Sequence, residues 1–367
     1  MIRELVNEDT GKSFIISLKG KTVCIKSGNR ENEKSYDSES KALEAFHKKK
    51  WEKLKKGFIF KTEELQKGKA RFHKFISKEY TGCLSIVNIE GNVGVYKHND
   101  FKKEHLQIFS SNGTFIETIE LNKGIPWNLS FSKPFNSLFI TADHCVIKLD
   151  LSTRKFEHFT DSFDKPSSFI SLGSEHLFYG SDPMIYLRDL QTNEIIFSKK
   201  AESQLYSGHS SQLIGAITED GNKIALCRKA GEIEISNCKG ALIKLIQDDF
   251  EMVAQIEFLN DATLLIREKY GSWGLRIFDV ESGKELANPF NSHSFHGTLV
   301  DCFDINHKED KIIVVCRNNA TLYDIKSFEQ ILEFEIEHCS KRSDAIFLGN
   351  STIATRTDYG CFSLYHI

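Results

Sequence analysis

Short runs of alternating apolar and polar residues fill the chain from residue 82 to its end, and they return at a regular spacing. Each repeat closes in a strand, a turn and another strand. The turns lie beside Phe109-Ser110, Leu149-Asp150, Arg188-Asp189, Ser236-Asn237, Phe278-Asp279, Tyr323-Asp324 and Tyr365-His366. The second members of these pairs are 40, 39, 48, 42, 45 and 42 residues apart. The pattern therefore predicts seven copies of one β unit.

A fixed period of about forty residues is typical of radial β architectures. It predicts a mainly β fold, a seven-bladed β-propeller over residues 63–367 behind a small N-terminal α+β domain over residues 1–62. Unit four shows the four strands of a blade best, at 213–218, 223–227, 232–237 and 241–246. The expected blades are about 82–121, 125–160, 167–200, 210–247, 251–290, 298–336 and 341–367.

The seventh unit ends after its third strand, which would leave an exposed sheet edge. Exposed edges invite pairing with other chains. Residues 70–78 contain Phe72, Phe75 and Ile76 and have no partner in unit one. We expect this segment to close the ring by pairing with residues 360–367, as propellers commonly do.

Three units resemble WD repeats in their turn residues. Unit four has Gly208-His209 before its first strand and Asp220-Gly221 in its first turn. Units five and six carry Phe278-Asp279 and Tyr323-Asp324 at the end of a third strand. The resemblance covers about residues 70–367, although the Trp-Asp pair itself does not occur. It implies a rigid propeller that acts as a scaffold for other proteins.

The first sixty residues follow a different pattern. Apolar residues on both sides of Lys19-Gly20-Lys21 predict a β-hairpin. Asp37 and Ser38 are N-cap candidates for a helix. The apolar face of that helix contains Leu43, Phe46, His47, Trp51 and Leu54. Gly57 is a natural helix stop.

This segment resembles the WGR domain. The resemblance rests on Lys12-Ser13-Phe14-Ile15, on Gly28, on Ala42 and Phe46, and on Lys56-Gly57-Phe58. Ser27-Gly28-Asn29 stands where the family has Trp-Gly-Arg, and Arg30 follows one position late. WGR domains are associated with nucleic-acid ends in some enzymes. The resemblance therefore implies phosphate contacts, for which the helix offers Lys48, Lys49, Lys53 and Lys56, unless these lysines are only a solvated helix face.

Charge divides the chain. Residues 1–80 hold 20 Lys and Arg against 12 Asp and Glu, whereas the rest holds 28 against 39. This contrast favours different partners for the two parts. The nine cysteines include no Cys-x-x-Cys pair, the N-terminus has no apolar leader, and no apolar run approaches a membrane span. We expect a cytoplasmic protein without membrane contact.

One recurring position suggests a contact surface. Units four to seven end their second strand near Arg228, Arg267, Arg317 and Arg356, with Lys229 and Lys269 beside two of them. Units two and three place Asp143 and Asp182 there. A positive arc would suit an acidic protein partner, because arginine contacts carboxylate and phosphate through two hydrogen bonds at once. The other interpretation is that each arginine pairs with an acid of its own or the next blade.

Motifs for catalysis are absent from the sequence. It has no phosphate-binding glycine loop and no nucleophile elbow. His293 and His296 have a metal-like spacing, but we expect a loop there and no metal or other cofactor. The sequence thus predicts a non-enzymatic interaction protein. Nucleic-acid binding through residues 1–62, with the propeller recruiting a partner, is the alternative, and an enzyme site above the channel is a third.

Overall fold

The computed structural model describes residues 1–76, 85–97, 104–121, 126–142, 144–165, 167–201, 204–206, 209–229, 231–250, 252–270, 274–286, 300–339 and 342–367. Within these ranges the chain is almost entirely β, with one helix. None of the helical structure described is long and apolar enough to cross a membrane.

The N-terminal part is a sheet with one helix packed on it. Its elements are β1 (Ile2–Asn7), β2 (Ser13–Lys19), β3 (Thr22–Ser27), β4 (Arg30–Ser35), α1 (Glu39–Leu54), β5 (Phe58–Lys61) and β6 (Ala70–Phe75). The Ser38 side chain caps α1 by accepting a hydrogen bond from the Lys41 amide. Gly57 ends the turn after the helix with φ +82°. The hairpin and the helix predicted from the sequence are both present.

The ring is built from sheets that follow one another along the chain. Five of these sheets have four strands and one has three. In each sheet the first strand along the chain is the innermost one. The strands are β7 (Ile86–Ile89), β8 (Asn92–Lys97), β9 (Glu104–Phe109), β10 (Phe115–Leu121); β11 (Pro126–Ser132), β12 (Ser137–Ala142), β13 (Cys145–Asp150), β14 (Phe156–His158); β15 (Ser167–Leu172), β16 (His176–Ser181), β17 (Met184–Asp189), β18 (Ile195–Lys200); the hairpin β19 (Gln204–Tyr206) and β20 (His209–Gln212); β21 (Ile214–Ile217), β22 (Lys223–Lys229), β23 (Glu232–Asn237), β24 (Leu242–Gln247); β25 (Met252–Asn260), β26 (Thr263–Tyr270), β27 (Leu275–Asp279); β28 (Cys302–Asn306), β29 (Lys311–Cys316), β30 (Asn319–Asp324) and β31 (Gln330–Glu335).

The expectation of seven separate blades is wrong: six sheets stand alone as blades. The last strands, β32 (Ser343–Phe347), β33 (Thr352–Thr357) and β34 (Cys361–His366), belong to a nine-stranded sheet with the order β32-β33-β34-β6-β5-β1-β2-β3-β4. The reason is that β6 pairs on one side with β34, with Phe72 opposite Leu364, and on the other side with β5. The final unit of the ring and the N-terminal domain therefore share one sheet.

Repeating aspartates explain the sequence period. At the end of a third strand, the carboxylate or amide oxygen of Asp150, Asp189, Asn237, Asp279 or Asp324 accepts hydrogen bonds from backbone amides two to four residues ahead. These local bonds form the turn to the fourth strand. Five consecutive units have one such residue each, which explains the regular spacing of these turns in the sequence.

Hydrophobic clusters between neighbouring sheets hold the ring closed. One of them joins the first ring sheet to the last strands, with Val95 and Phe109 packed beside Phe72, Phe362 and Leu364. The core of the N-terminal domain extends into the ring in the same way, because it includes Cys361 of β34. No break in packing separates the two parts across β5 and β6.

Candidate interaction site at the channel mouth

A central channel runs through the ring. Its wall is formed by the first strand of each unit, β7, β11, β15, β21, β25, β28 and β32, and its volume is about 2180 Å³. The second strand of each unit is antiparallel to its channel strand, so all the second strands run in the same direction along the channel. The residues at the ends of β22, β26, β29 and β33 therefore lie at the same end of the channel, which we call the channel mouth.

Three of the predicted arginines have partners within the ring. Arg228 forms ion pairs with Glu232 and Glu234, at 3.2 and 3.3 Å. Arg356 pairs with Asp344 on the channel strand beside it. These contacts agree with the interpretation of structural pairing within one unit.

Arg267 is also held by neighbours rather than free at the surface. Its Nε donates to Gln255 Oε1 at 3.3 Å, and its Nη1 donates to the Val300 carbonyl at 3.2 Å. The side chain is half-buried and lines the channel.

Arg317 differs from the other three. It is exposed and has φ +58°, and its backbone amide donates to Asp301 Oδ2 at 2.7 Å. Its carbonyl accepts from Ser343, which fixes the turn after β29. Within the described parts of the chain, neither a hydrogen bond nor an ion pair occupies its guanidinium.

Arg342 is a further arginine that the strand pattern did not single out. It is exposed, and its carbonyl accepts the Asp358 amide at 2.9 Å. It lies in the loop that leads into β32, so the repeat position used to find the other arginines misses it. Its charge acts on both Asp301 and Arg267, which places it at the same mouth.

On one side of the channel mouth, the described residues carry more positive than negative charge. Arg267, Arg317, Arg342 and Arg356 surround Asp301 and Asp344. Burial raises the pKa of Asp301 to about 6, against the hydrogen bond from the Arg317 amide. This side of the mouth is therefore cationic at neutral pH, on a propeller whose charge balance is acidic.

A pair of carboxyl groups lies deeper in the channel wall. Glu257 accepts from Gln255 Nε2 at 2.8 Å, and Asp304 accepts from the Phe347 amide at 2.7 Å. Burial, reinforced by the charge of Asp304, raises the pKa of Glu257 to about 8. Burial likewise raises the pKa of Asp304 to about 6. The two residues come from different units, and no spacing in the sequence connects them.

The remaining predicted positions are divided. Asp182 forms an ion pair with Lys165 at the mouth. The side chains of Lys229 and Lys269 lie outside what the structure describes, and so do Asp143, His293 and His296.

The lysines of α1 are only partly free. Lys49 pairs with Glu52 at 2.9 Å, and the Lys53 ammonium lies 4.3 Å from the centre of the Phe14 ring. Lys48 and Lys56 are exposed. Lys56 lines a surface pocket of about 370 Å³ with Glu52, Lys55 and Phe75.

Comparison with known proteins identifies the fold and no more. No family model matches the chain, and no curated protein matches it. Among the solved structures that match is one titled "Crystal Structure of Mitotic Checkpoint Complex", with a TM-score of 0.63 and 12% sequence identity over 83% of this chain and 96% of that one. At this identity the likeness supports a WD-repeat-like β-propeller and leaves the partner open.

Proposed function

We propose that this protein is a non-enzymatic scaffold that binds an acidic segment of another protein at the channel mouth. The observation that carries the proposal is the group of four arginines around two aspartates. Two of these arginines, Arg317 and Arg342, are exposed. The propeller fold supports the coarser part of the proposal, because such folds commonly serve as interaction scaffolds.

Charge and geometry favour a carboxylate-rich partner. Arg317 and Arg342 are anchored through their backbones, which fixes the places where their side chains leave the surface. Each guanidinium can make two parallel hydrogen bonds to a carboxylate or phosphate. A partner segment entering the mouth would meet Arg267 and Arg356 next.

An acidic probe peptide tests the proposal directly. The full chain is titrated into a fluorescein-labelled peptide of Asp and Glu residues, and anisotropy is read at two salt concentrations. We expect binding that weakens as salt rises, and the double variant Arg317→Glu/Arg342→Glu should lose it. Thermal stability should stay unchanged because both side chains are exposed.

The matched control is Lys200→Glu/Lys239→Glu, which makes the same change of charge at exposed lysines in other turns and strands. It should bind the peptide like the parent protein. If both double variants lose binding equally, net charge alone explains the affinity and the channel mouth is not the site.

A second candidate is nucleic-acid binding through the WGR-like segment. One observation favours it: Lys55 and Lys56 flank a pocket that also contains Phe75, a combination that suits a phosphate next to a base. Filter binding of the full chain to short DNA at two salt concentrations tests it. Retention that Lys55→Glu/Lys56→Glu abolishes would support this candidate, and no retention at low salt would remove it.

A further inference from the structure

A cluster of histidines lies where helix α1 meets the ring. His73 lies on β6, and Glu337 and His338 follow β31. The distance from His73 Nε2 to Glu337 Oε1 is 3.6 Å. Nitrogen and oxygen atoms of His73, Glu337 and His338 that could bind a metal all lie within 4.8 Å of one another. Donors around a tetrahedral zinc ion, with bonds near 2.0–2.1 Å, are about 3.3 Å apart, so the donors would have to approach one another by up to about 1.5 Å.

Two imidazole nitrogens in this cluster make no hydrogen bond to any described residue, although one of them, His73 Nε2, faces the Glu337 carboxylate. His73 is fully buried, and its Nε2 makes no hydrogen bond; the buried Nε2 of His338 makes none either. Leaving a buried polar atom unsatisfied is costly. His73 Nδ1 is 2.7 Å from Ser363 Oγ. A ligating histidine usually has such a bond on its other nitrogen, because it fixes the ring and leaves Nε2 free to coordinate.

The donor types suit coordination. Neutral imidazole and ionised carboxylate are the forms of these side chains that bind metals. Glu337 is held by the Lys50 ammonium through Oε2, and its Oε1 faces His73 Nε2 at 3.6 Å.

We propose that His73, Glu337 and His338 form a binding site for a divalent transition-metal ion, with zinc as the typical occupant. Two imidazoles and one carboxylate favour zinc or cobalt over magnesium or calcium, which prefer oxygen ligands. Three protein ligands leave a fourth position for water. The ion would join the closing strand β6 to the segment after β31, and thus two neighbouring units of the ring.

Lys50 sets the affinity of this site. Its ammonium donates to Glu337 Oε2 and leaves Oε1 on the side of His73. A cation in contact with the ligating carboxylate opposes a second cation. Replacing Lys50 with methionine should therefore raise metal affinity at least about tenfold, since like charges a few ångströms apart repel strongly in a protein. Metal should also restore thermal stability that this variant loses without it.

The experiment is a titration of the reduced full chain with Co²⁺ and then Zn²⁺. Cobalt gives visible absorption bands that report its coordination, and thiolate ligands add a separate near-ultraviolet band. Zinc affinity is measured by competition with a chromophoric chelator. We expect one ion per chain and no thiolate band. We also expect Co²⁺ to quench the fluorescence of Trp51, which stacks on His338 with ring centres 5.2 Å apart.

Variants decide whether the ion sits at the proposed residues. His73→Ala and His338→Gln should each weaken binding by more than about tenfold, and Ser363→Ala by about tenfold, the usual effect of removing a residue that orients a ligand. His307→Ala, at an exposed histidine near the other end of the channel, is the control and should bind like the parent protein.

Two outcomes would overturn the proposal. One is the absence of stoichiometric uptake by both the parent protein and Lys50→Met at micromolar metal. The other is uptake that His338→Gln leaves unchanged. If His73→Ala fails to fold, His338→Gln decides alone, because His338 is in a loop and is only half-buried.

Discussion

The ring of Phe72 fills the space beside Gly113 so closely that a Cβ on Gly113 would lie 2.3 Å from a ring carbon. Gly113 is in the turn between β9 and β10 of the first ring sheet, and Phe72 is on the closing strand β6. The residue also has φ +83°, a conformation that favours glycine. This contact joins the first ring sheet to the last strands.

We predict that Gly113→Ala destabilises the protein by about 2–4 kcal/mol. The added methyl group displaces Phe72, and alanine is strained in the left-handed backbone conformation that glycine adopts here. Urea unfolding measures the loss. Gly91→Ala is the matched control, since Gly91 has φ +85° and nothing within 4 Å of its Cβ position. It should lose only about 1 kcal/mol. Equal losses in the two variants would show that Phe72 moves aside freely.

Arg276 is predicted to stabilise the contact between two neighbouring sheets. Its buried guanidinium lies 3.0 Å from Asp248, 2.9 Å from Asp249 and 2.8 Å from Glu285. Arg276→Met should cost about 2–3 kcal/mol, less than a fully buried pair would, because water reaches the acids. Arg154→Met removes an exposed pair with Glu117 and should cost below about 1 kcal/mol. Thermal unfolding of both variants checks this order.

The arginines at the ends of the second strands should divide into two classes. Arg228→Ala breaks ion pairs with Glu232 and with Glu234, whose side chain is only 6% exposed. We expect a loss of about 1–2 kcal/mol, between the values for exposed and buried pairs. Arg317→Ala should stay within about 0.5 kcal/mol of the parent protein. The reverse order, measured by urea unfolding, would contradict these contacts.

Stability should fall as pH rises because of Glu257. Its pKa is about 8 in the folded protein against 4.5 ordinarily, so the folded state keeps a proton that the unfolded chain loses. The contribution of the protonated Glu257 carboxyl to stability is therefore fully present below about pH 4.5 and is lost as the pH rises towards 8. Glutamine does not ionise, so the free energy of unfolding of Glu257→Gln, relative to that of the parent protein, should be about 2 kcal/mol higher at pH 8 than at pH 5. This value allows about 1.4 kcal/mol per pKa unit, reduced because water in the channel hydrates the carboxyl group.

The control for this pH effect is Glu281→Gln, at an exposed turn residue. It should leave the slope of stability against pH unchanged. If Glu257→Gln also leaves it unchanged, the carboxyl ionises in the folded protein as it does in the unfolded chain.

Local patterns predicted most of the elements. The aspartates at the ends of third strands accept hydrogen bonds from amides only a few residues ahead. They can therefore be recognised in the sequence without information about the tertiary structure. The helix was equally local, because Ser38 and Gly57 define its two ends. Strand β4 was missed, since all six of its residues are exposed and its sequence has no apolar alternation. Strand β1 was missed as well.

The candidate site was predictable only in outline. Repeat position brought Arg228, Arg317 and Arg356 to one end of the ring. It gave no information on which of them would pair, because the acids belong to other strands, as Asp344 does for Arg356. The Glu257–Asp304 pair and the histidine cluster depend on contacts between distant parts of the chain, 287 residues apart for Lys50 and Glu337.

The nine-stranded sheet has a consequence for synthesis of the chain. Strand β6 emerges from the ribosome long before its partner β34, since paired residues such as His73 and Ser363 are 290 residues apart. Before β34 has been made, the edge of β6 that faces β5 can already be paired, because β5 and the rest of the N-terminal domain precede β6 in the chain. The N-terminal domain would thus keep β6 extended and paired along one edge until β34 has been made and the propeller can close.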